Sequence, residues 1–407
     1  MHILMIAQFA TPIIGGEEQH VVNLSRELVK RGHEVAIATI KHPGQADFEI
    51  DAGVRIYRLQ GTTQRMNWLY SEPGRRHAPP FPDPEMIFGL RRVIAREQPD
   101  VVHAHNWLLF SFLPLIRWSK AHLVVTLHDY SFQCATKRYM YCGAPCSGPG
   151  LLKCLDCASK HFGAAKGVTT YLSSQAMSRL ERKAVDMFLA VSQVTAAGNG
   201  LVGSGLPYQV IPNFVPDDLG LEQDIPVPYL TQLPKEGYLL FVGDLSIEKG
   251  IDVLLQAFAR LKNAPPLVLI GRRFADTPSE LPDNVLMLGS WPHSAVMHAW
   301  GRSCIALAPS VWSEPFGMVV IEAMVSGRPV IASRIGGIPD IVVDGETGIL
   351  VTPGDVESLL EAIERLLLNP EMRERFGEAG RRRGAEFQAN AVVPRIEQVY
   401  RTITAAS

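Results

Sequence analysis

A chain of 407 residues is long enough for two or three domains with substantial cores. With 47% hydrophobic and 20% charged residues it is neither a disordered chain nor a membrane-embedded one. A net charge of −2 excludes a global field that would recruit nucleic acid or an anionic membrane.

In chain order, the sequence opens as strand, glycine-rich loop, helix and strand: His2–Phe9, Gly15-Gly16, Glu18–Arg31 and Glu34–Ile40. The helix carries Val21, Val22, Leu24 and Leu28 on one stripe and ends at Gly32. The apolar start Met1–Ala7 lacks a basic leader and reads as a core strand, not a signal peptide. Strands follow at Val101–His103, Leu123–Leu127 and Met187–Ala190. The longest apolar region, Trp107 to Ile116, is too short to span a bilayer, so a cytoplasmic protein is expected, free to touch a membrane peripherally. A boundary falls near Ile211–Pro216, and the acidic, proline-rich stretch to Pro234 reads as linker.

The same order then restarts. Tyr238–Val242 is a strand, Gly243–Gly250 a loop, Ile251–Leu261 a helix and Leu267–Ile270 a strand, with further strands at Val285–Met287, Ile305–Ala308 and Val330–Ala332. A last helix, Val392–Ile403, bears Ile396, Val399 and Tyr400 and is expected to pack back on the first domain. Such alternation predicts α/β architecture, parallel sheets covered by helices on both faces. Ligands bind such sheets at the strand carboxyl ends, so two facing halves would share one cleft. The clusters Gly74–His77 and Arg381–Arg383 read as solvated surface rather than nucleic-acid patches.

The most informative stretch runs from Ser313 to Glu322. Gly317 opens an apolar helix, Met318 to Val325, closed by Gly327. Glu314 stands on the loop before it and Glu322 inside it, with the N–H groups of Phe316, Gly317 and Met318 open between them. Free amides at a helix start suit a phosphate. Flanking carboxylates would repel one, so they are better read as acceptors for hydroxyls on either side. A phosphate with hydroxyl-bearing rings at both ends describes a sugar nucleotide. The plainer alternative is a helix cap and a solvated glutamate.

Other elements carry weaker signals. Gly15-Gly16 lies where amides approach a ligand, or is simply a tight turn needing positive φ; it is not a P-loop. Lys249 precedes a helix and would neutralise a leaving diphosphate, or is a surface lysine. No Asp-x-Asp pair is present, so metal-assisted departure is not expected. His103 and His105 alternate at one strand end and His128 follows another. His128 suits a hydrogen bond to a reacting hydroxyl, whereas His103 reads as a satisfied polar residue closing its strand. Cys134, Cys142, Cys146, Cys154 and Cys157 cluster in a Gly/Pro-rich insertion, and Cys154-x-x-Cys157 is half of a zinc knuckle. Cys134, Cys146, Cys154 and Cys157 are the favoured structural zinc ligands, with Cys142 spare. Free thiols are the alternative; disulfides do not suit a reducing compartment.

The order of motifs resembles the retaining glycosyltransferases of family 4 over nearly the whole chain. The residues that carry it are Gly15-Gly16, Val125–Asp129, Val210–Phe214, Phe241–Gly250, Glu314–Gly317 with Glu322, and Gly336–Asp340. The resemblance implies a GT-B fold, two facing Rossmann-like domains. Residues 1–215, with an insertion at 130–165 and the terminal helix 388–407, would form the acceptor-side domain, and 216–387 the nucleotide-sugar domain. It implies transfer of a hexose or N-acetylhexosamine from a UDP- or GDP-sugar to a hydroxyl on a glycan, a lipid-linked sugar or a small molecule. Anomeric configuration would be retained, without a cofactor or divalent metal in the chemical step. Glu322 would accept from the ribose and Glu314 from the transferred sugar, and Lys249 would hold the diphosphate with the amides of Phe316, Gly317 and Met318. His128 would lie beside the sugar and Gly16 near phosphate and acceptor.

Two departures stand out. Asp244 occupies the place of a usual arginine, and Gly271-Arg-Arg-Phe that of a usual Gly-Asp-Gly-Pro, leaving Arg272 or Arg273 to supply the lost cation. A catalytically silent sugar-nucleotide binder and a sugar-nucleotide epimerase on the same fold are the competing functions.

Overall fold

The computed structural model describes residues 1–10, 15–66, 76–220, 227–235 and 237–405. Two compact units emerge, Met1–Asn213 with Val392–Ser407, and Phe214–Ala391. Among the described residues, no helix is long and apolar enough to cross a membrane.

The first unit runs β1 (His2–Ile6), α1 (Gly16–Lys30), β2 (Glu34–Ile40), β3 (Phe48–Asp51), β4 (Val54–Leu59), α2 (Pro84–Glu97), β5 (Val101–Ala104), α3 (Leu109–Phe112), α4 (Ile116–Ser119) and β6 (His122–Leu127). It continues with β7 (Met140–Tyr141), β8 (Ala144–Pro145), α5 (Leu151–Phe162), α6 (Ala164–Ala184), β9 (Met187–Ala190), α7 (Gln193–Gly198) and β10 (Tyr208–Val210). The main sheet has the order β10-β9-β6-β5-β1-β2-β4-β3. Its strands are parallel except β3, which pairs antiparallel with β4. The sequence order reverses between β1 and β5, so a crevice opens at their carboxyl ends. Central strands such as Leu4–Ile6 and Leu123–Leu127 are buried on both faces, which explains their unbroken apolar runs. The Trp107–Ile116 region is short helical turns, with Trp107 to Phe110 in the core.

The second unit runs α8 (Val227–Leu230), β11 (Tyr238–Val242), α9 (Ile251–Arg260), β12 (Leu267–Ile270), β13 (Val285–Leu288), α10 (His293–Arg302), β14 (Ser303–Ala308), α11 (Met318–Val325) and β15 (Val330–Ser333). Then come α12 (Ile338–Ile341), β16 (Gly348–Val351), α13 (Val356–Leu367) and α14 (Pro370–Gly384). The wholly parallel sheet has the order β13-β12-β11-β14-β15-β16 and reverses between β11 and β14. The last helix, α15 (Ala389–Ala405), begins before the expected Val392 and contains Pro394 within it. Its start is set instead by Asp217, whose Oδ1 accepts from the Asn390 N–H at 3.1 Å. From Val392 onward it belongs to the first unit, where Tyr400 is fully buried.

Of the two basic clusters, Gly74 and Arg75 lie outside the described residues. Arg383 is not merely solvated: it donates to the Asp340 carbonyl at 3.0 Å and pairs with Glu386 at 2.5 Å.

Candidate active site

In the second unit, three loops meet at the β11/β14 reversal. The Glu248 carbonyl accepts from the N–H groups of Val311 and Trp312 at 3.0 and 3.1 Å, with Ser310 Oγ also 3.1 Å away. Gly250, at φ +75°, packs so closely that a Cβ would lie 1.9 Å from the Pro309 carbonyl oxygen. These contacts stitch the loop after β11 to the loop after β14 and bring Lys249 to Glu314. The Lys249 ammonium donates to Glu314 Oε1 at 2.5 Å and lies 5.0 Å from the Trp312 ring centroid. Ser310 Oγ donates to the same Oε1 at 3.0 Å, which leaves Oε2 without a partner among the described residues. The third loop supports Glu314 from behind. The Gly337 N–H donates to its carbonyl at 2.8 Å, and a Cβ on Gly336, itself at φ +61°, would fall 2.1 Å from that oxygen.

Gly317, at φ +123°, is the N-cap of α11, a conformation that disfavours any side chain. The first helical bond there is Val320 N–H to the Gly317 carbonyl, at 3.0 Å. The N–H groups of Phe316, Gly317 and Met318 therefore find no acceptor among the described residues. Phe316 buries its ring against Phe387, so only its backbone serves a ligand. Glu322 is buried one turn into α11, and its Oε1 accepts from His293 Nε2 at 2.9 Å.

Asp244 does not stand alone. Its Oδ1 lies 3.5 Å from Arg272 Nε, and the Arg272 guanidinium stacks 4.4 Å from the Phe274 ring. The backbones are joined too, Leu245 N–H donating to the Arg272 carbonyl at 2.9 Å. The acidic residue thus holds a cation on the neighbouring strand end.

In the first unit, the β1/β5 reversal gathers histidines. His105 Nδ1 and His128 Nε2 are 3.0 Å apart, their rings stacked at 5.3 Å, and His20 meets His128 edge-on at 4.9 Å. The ligating atoms of His20, His105 and His128 all lie within 4.8 Å of one another, so this trio is able to hold a metal ion. His103 closes its strand as a satisfied polar residue, bonded to Tyr400 Oη at 2.6 Å and Thr126 Oγ1 at 2.7 Å. Burial pushes all four imidazoles down, His103 and His128 to about 3 and the other two well below their usual 6.5. They are neutral rings at physiological pH.

The Gly15-Gly16 pair needs no positive φ. Gly15 is extended at φ −157° and Gly16 is the first residue of α1, so the tight-turn reading does not hold. No atom lies within 4 Å of where a Gly16 Cβ would stand. Beside it, burial first and the Glu18 charge second push the Glu17 carboxyl up to about 8, against the hydrogen bond from Asn106. Glu17, His20 and Asn106 were not singled out in the sequence. The available signal was spacing: His20 falls one turn beyond Gly16, on the same helix face.

The cysteine-rich segment forms a small lobe after β6. Cys142 and Gly143, both at positive φ, make the turn of the β7–β8 hairpin, and Cys142 is exposed there. Cys134, Cys146, Cys154 and Cys157 line one cavity of about 30 Å³.

Residues 230–383 match the sequence model of Glycosyl transferases group 1, and residues 14–219 that of Glycosyltransferase Family 4. The glycogen synthase of Mycobacterium tuberculosis is 27% identical, over 98% of this chain and 94% of that one. Among solved structures, sucrose-phosphate synthase from Thermosynechococcus elongatus aligns with TM-score 0.74 and 24% identity, covering 100% of this chain and 99% of that one. Anabaena HepE in complex with UDP aligns with TM-score 0.69 and 18% identity, covering 99% and 100%. The fold is GT-B, and with the family model spanning just over half of its length, the chain belongs to glycosyltransferase family 4 and is a glycosyltransferase.

Proposed function

We propose that this enzyme transfers a hexose or N-acetylhexosamine from a UDP- or GDP-sugar to a hydroxyl acceptor, with retention at the anomeric carbon. The observation that carries the reading is the Lys249–Glu314 pair set before the open amides of Phe316, Gly317 and Met318. A diphosphate fits amides and ammonium together. Glu314 Oε2 and the second oxygen of Glu322 remain as acceptors, for the transferred sugar and the ribose respectively. On binding, Lys249 exchanges part of its bond to Glu314 for phosphate oxygens, one anionic partner for another. Arg272, held by Asp244, supplies the second cation that the motif otherwise lacks. That anchored lysine and arginine, with the dipole of α11, leave the departure step no need of a divalent ion. Solved HepE structures with UDP and with UDP-glucose support a nucleotide-sugar donor.

In the chemical step the bond from the anomeric carbon to the donor phosphate breaks, the bond to the acceptor oxygen forms, and the acceptor proton passes to the departing phosphate. His128, neutral and steadied by His105, is assigned to a sugar hydroxyl, and Gly16 to the phosphate and acceptor. The neutral Glu17 carboxyl removes a charge that would repel phosphate from Gly16. The enzyme is placed in the cytoplasm. A lipid-linked acceptor would bring it to a membrane surface, where Leu151, Leu152 and Leu172, exposed on α5 and α6, are the apolar side chains on offer.

A thermal-shift panel of UDP- and GDP-sugars, followed by product mass spectrometry, tests the reading. One donor class should raise the melting temperature and yield a glycosylated acceptor. Absence of any shift would count against donor binding, and donor conversion without acceptor would point to an epimerase.

A further inference from the structure

The lobe between Ser131 and Phe162 has too little apolar core to hold itself. Its buried apolar cluster is Ala135 and Ala158 against Tyr171 of α6, with Cys154, Leu155 and Phe162 packed on it, while Leu151 and Leu152 stand in solvent. Its backbone is nevertheless sharply specified. Lys137, Tyr139 and Cys142 sit at φ +63°, +52° and +50°, each a conformation that costs on the order of 1 kcal/mol and persists only where surroundings enforce it. Small lobes of this kind need a clip beyond their core.

Four cysteines from three separate elements line one cavity. Cys134 lies on a turn, its N–H donating to the Tyr130 carbonyl at 2.8 Å. Cys146 leaves the hairpin, its N–H donating to the Tyr139 carbonyl at 2.8 Å. Cys154 and Cys157 share one face of α5. Between them lies the cavity of about 30 Å³, room for one water or one ion. The Gly150 N–H donates to Cys154 Sγ at 3.4 Å, the kind of support that steadies a thiolate ligand. The thiols of Cys146 and Cys157 meet the Gly148 and Met140 carbonyls at 3.4 and 3.7 Å, and Cys134 Sγ lies 3.3 Å from Thr136 Oγ1, contacts that metal binding would replace.

We propose that Cys134, Cys146, Cys154 and Cys157 bind a structural Zn²⁺ as four thiolates. Each thiol loses its proton on binding, so affinity falls as pH falls. A closed tetrahedron with Zn–S of about 2.3 Å places sulfurs about 3.8 Å apart. The sulfurs here stand wider, since the trio within 4.8 Å of one another is that of the histidines, so binding draws them closer together. The clip reaches beyond the lobe. Lys137 N–H donates to the Cys134 carbonyl at 2.9 Å, and its ammonium sits 4.1 Å from the Trp107 ring, among the charges that act on Glu17.

The test is elemental analysis of the full-length protein purified in reductant without chelator. It should hold about one zinc per chain, released as thiols are titrated with a mercurial. Cobalt reconstitution should give a thiolate charge-transfer band with tetrahedral d–d bands. Cys142→Ser and Cys304→Ser should keep the metal and Cys154→Ser should lose it. The proposal is overturned by no bound metal after reconstitution, by a Cys154–Cys157 disulfide in the reduced preparation, or by metal lost in His105→Gln yet kept in Cys154→Ser. Should Cys154→Ser fail to fold, the wild-type cobalt spectrum decides: a thiolate band supports the site and its absence refutes it.

Discussion

At β11 and β14 the second unit sets Lys249, Glu314 and Arg272 where they are partly in solvent, each charge already paired with a protein partner. At β1, β5 and β6 the first unit sets His20, His105 and His128, rings whose charge burial has removed. Two sheets of the same kind thus carry two different electrostatic solutions at their order reversals. Paired, accessible charges exchange partners with an ionic ligand at small cost, because no charge is stripped of its counterion. Neutral imidazoles offer directional hydrogen bonds suited to hydroxyls and little attraction for phosphate.

The comparison breaks most visibly at Glu314. Glu314→Ala should lower turnover by roughly 100-fold or more while the circular dichroism spectrum and melting temperature stay near wild type. Unchanged turnover in steady-state assays would remove it from the site. A smaller effect is expected at Arg272, whose pair with Asp244 is half exposed and worth little to stability. Arg272→Ala should raise the donor KM by roughly 3- to 10-fold, and Asp244→Ala should do the same to a lesser degree by releasing the guanidinium. If Asp244→Ala alone were damaging, Asp244 would have a role of its own.

The smallest effect concerns pH. The folded pKa of Glu17 is raised from its usual 4.5 to about 8. Its contribution is therefore fully present below about 4.5 and lost as pH rises through about 8. The histidines work in the opposite sense, their contribution present above 6.5 and lost as pH falls toward about 3. Glu17→Gln should accordingly raise the melting temperature by about 2 °C or more at pH 9 relative to wild type, and by less at pH 5. A pH-independent difference in calorimetric scans would contradict the assignment.

Much of this was legible in the sequence because it was local. Parallel strands buried on both faces write continuous apolar runs, so Glu34–Ile40, Tyr238–Val242 and Met187–Ala190 appear with their true ends. The edge hairpin β3–β4 was not apparent, since Phe48–Asp51 is short, half-exposed and mixed in polarity. In the site, Gly317 and its open amides followed from one glycine before an apolar helix. The ion pair between Lys249 and Glu314, 65 residues apart, and the bond between His293 and Glu322 depend on how loops from different strands pack, which spacing does not encode. His20 was hidden because a histidine among Val21, Val22 and Leu24 looks like part of an ordinary buried helix face.

Calorimetric titration of UDP and GDP into wild type and Lys249→Ala is the most direct measure of whether the strand ends of the second unit grip a nucleoside diphosphate. One nucleotide should bind the wild type and lose roughly 10- to 100-fold in affinity in the variant, the worth of a charge-assisted contact. Equal affinity in both proteins, or no binding of either nucleotide to the wild type, would contradict the account.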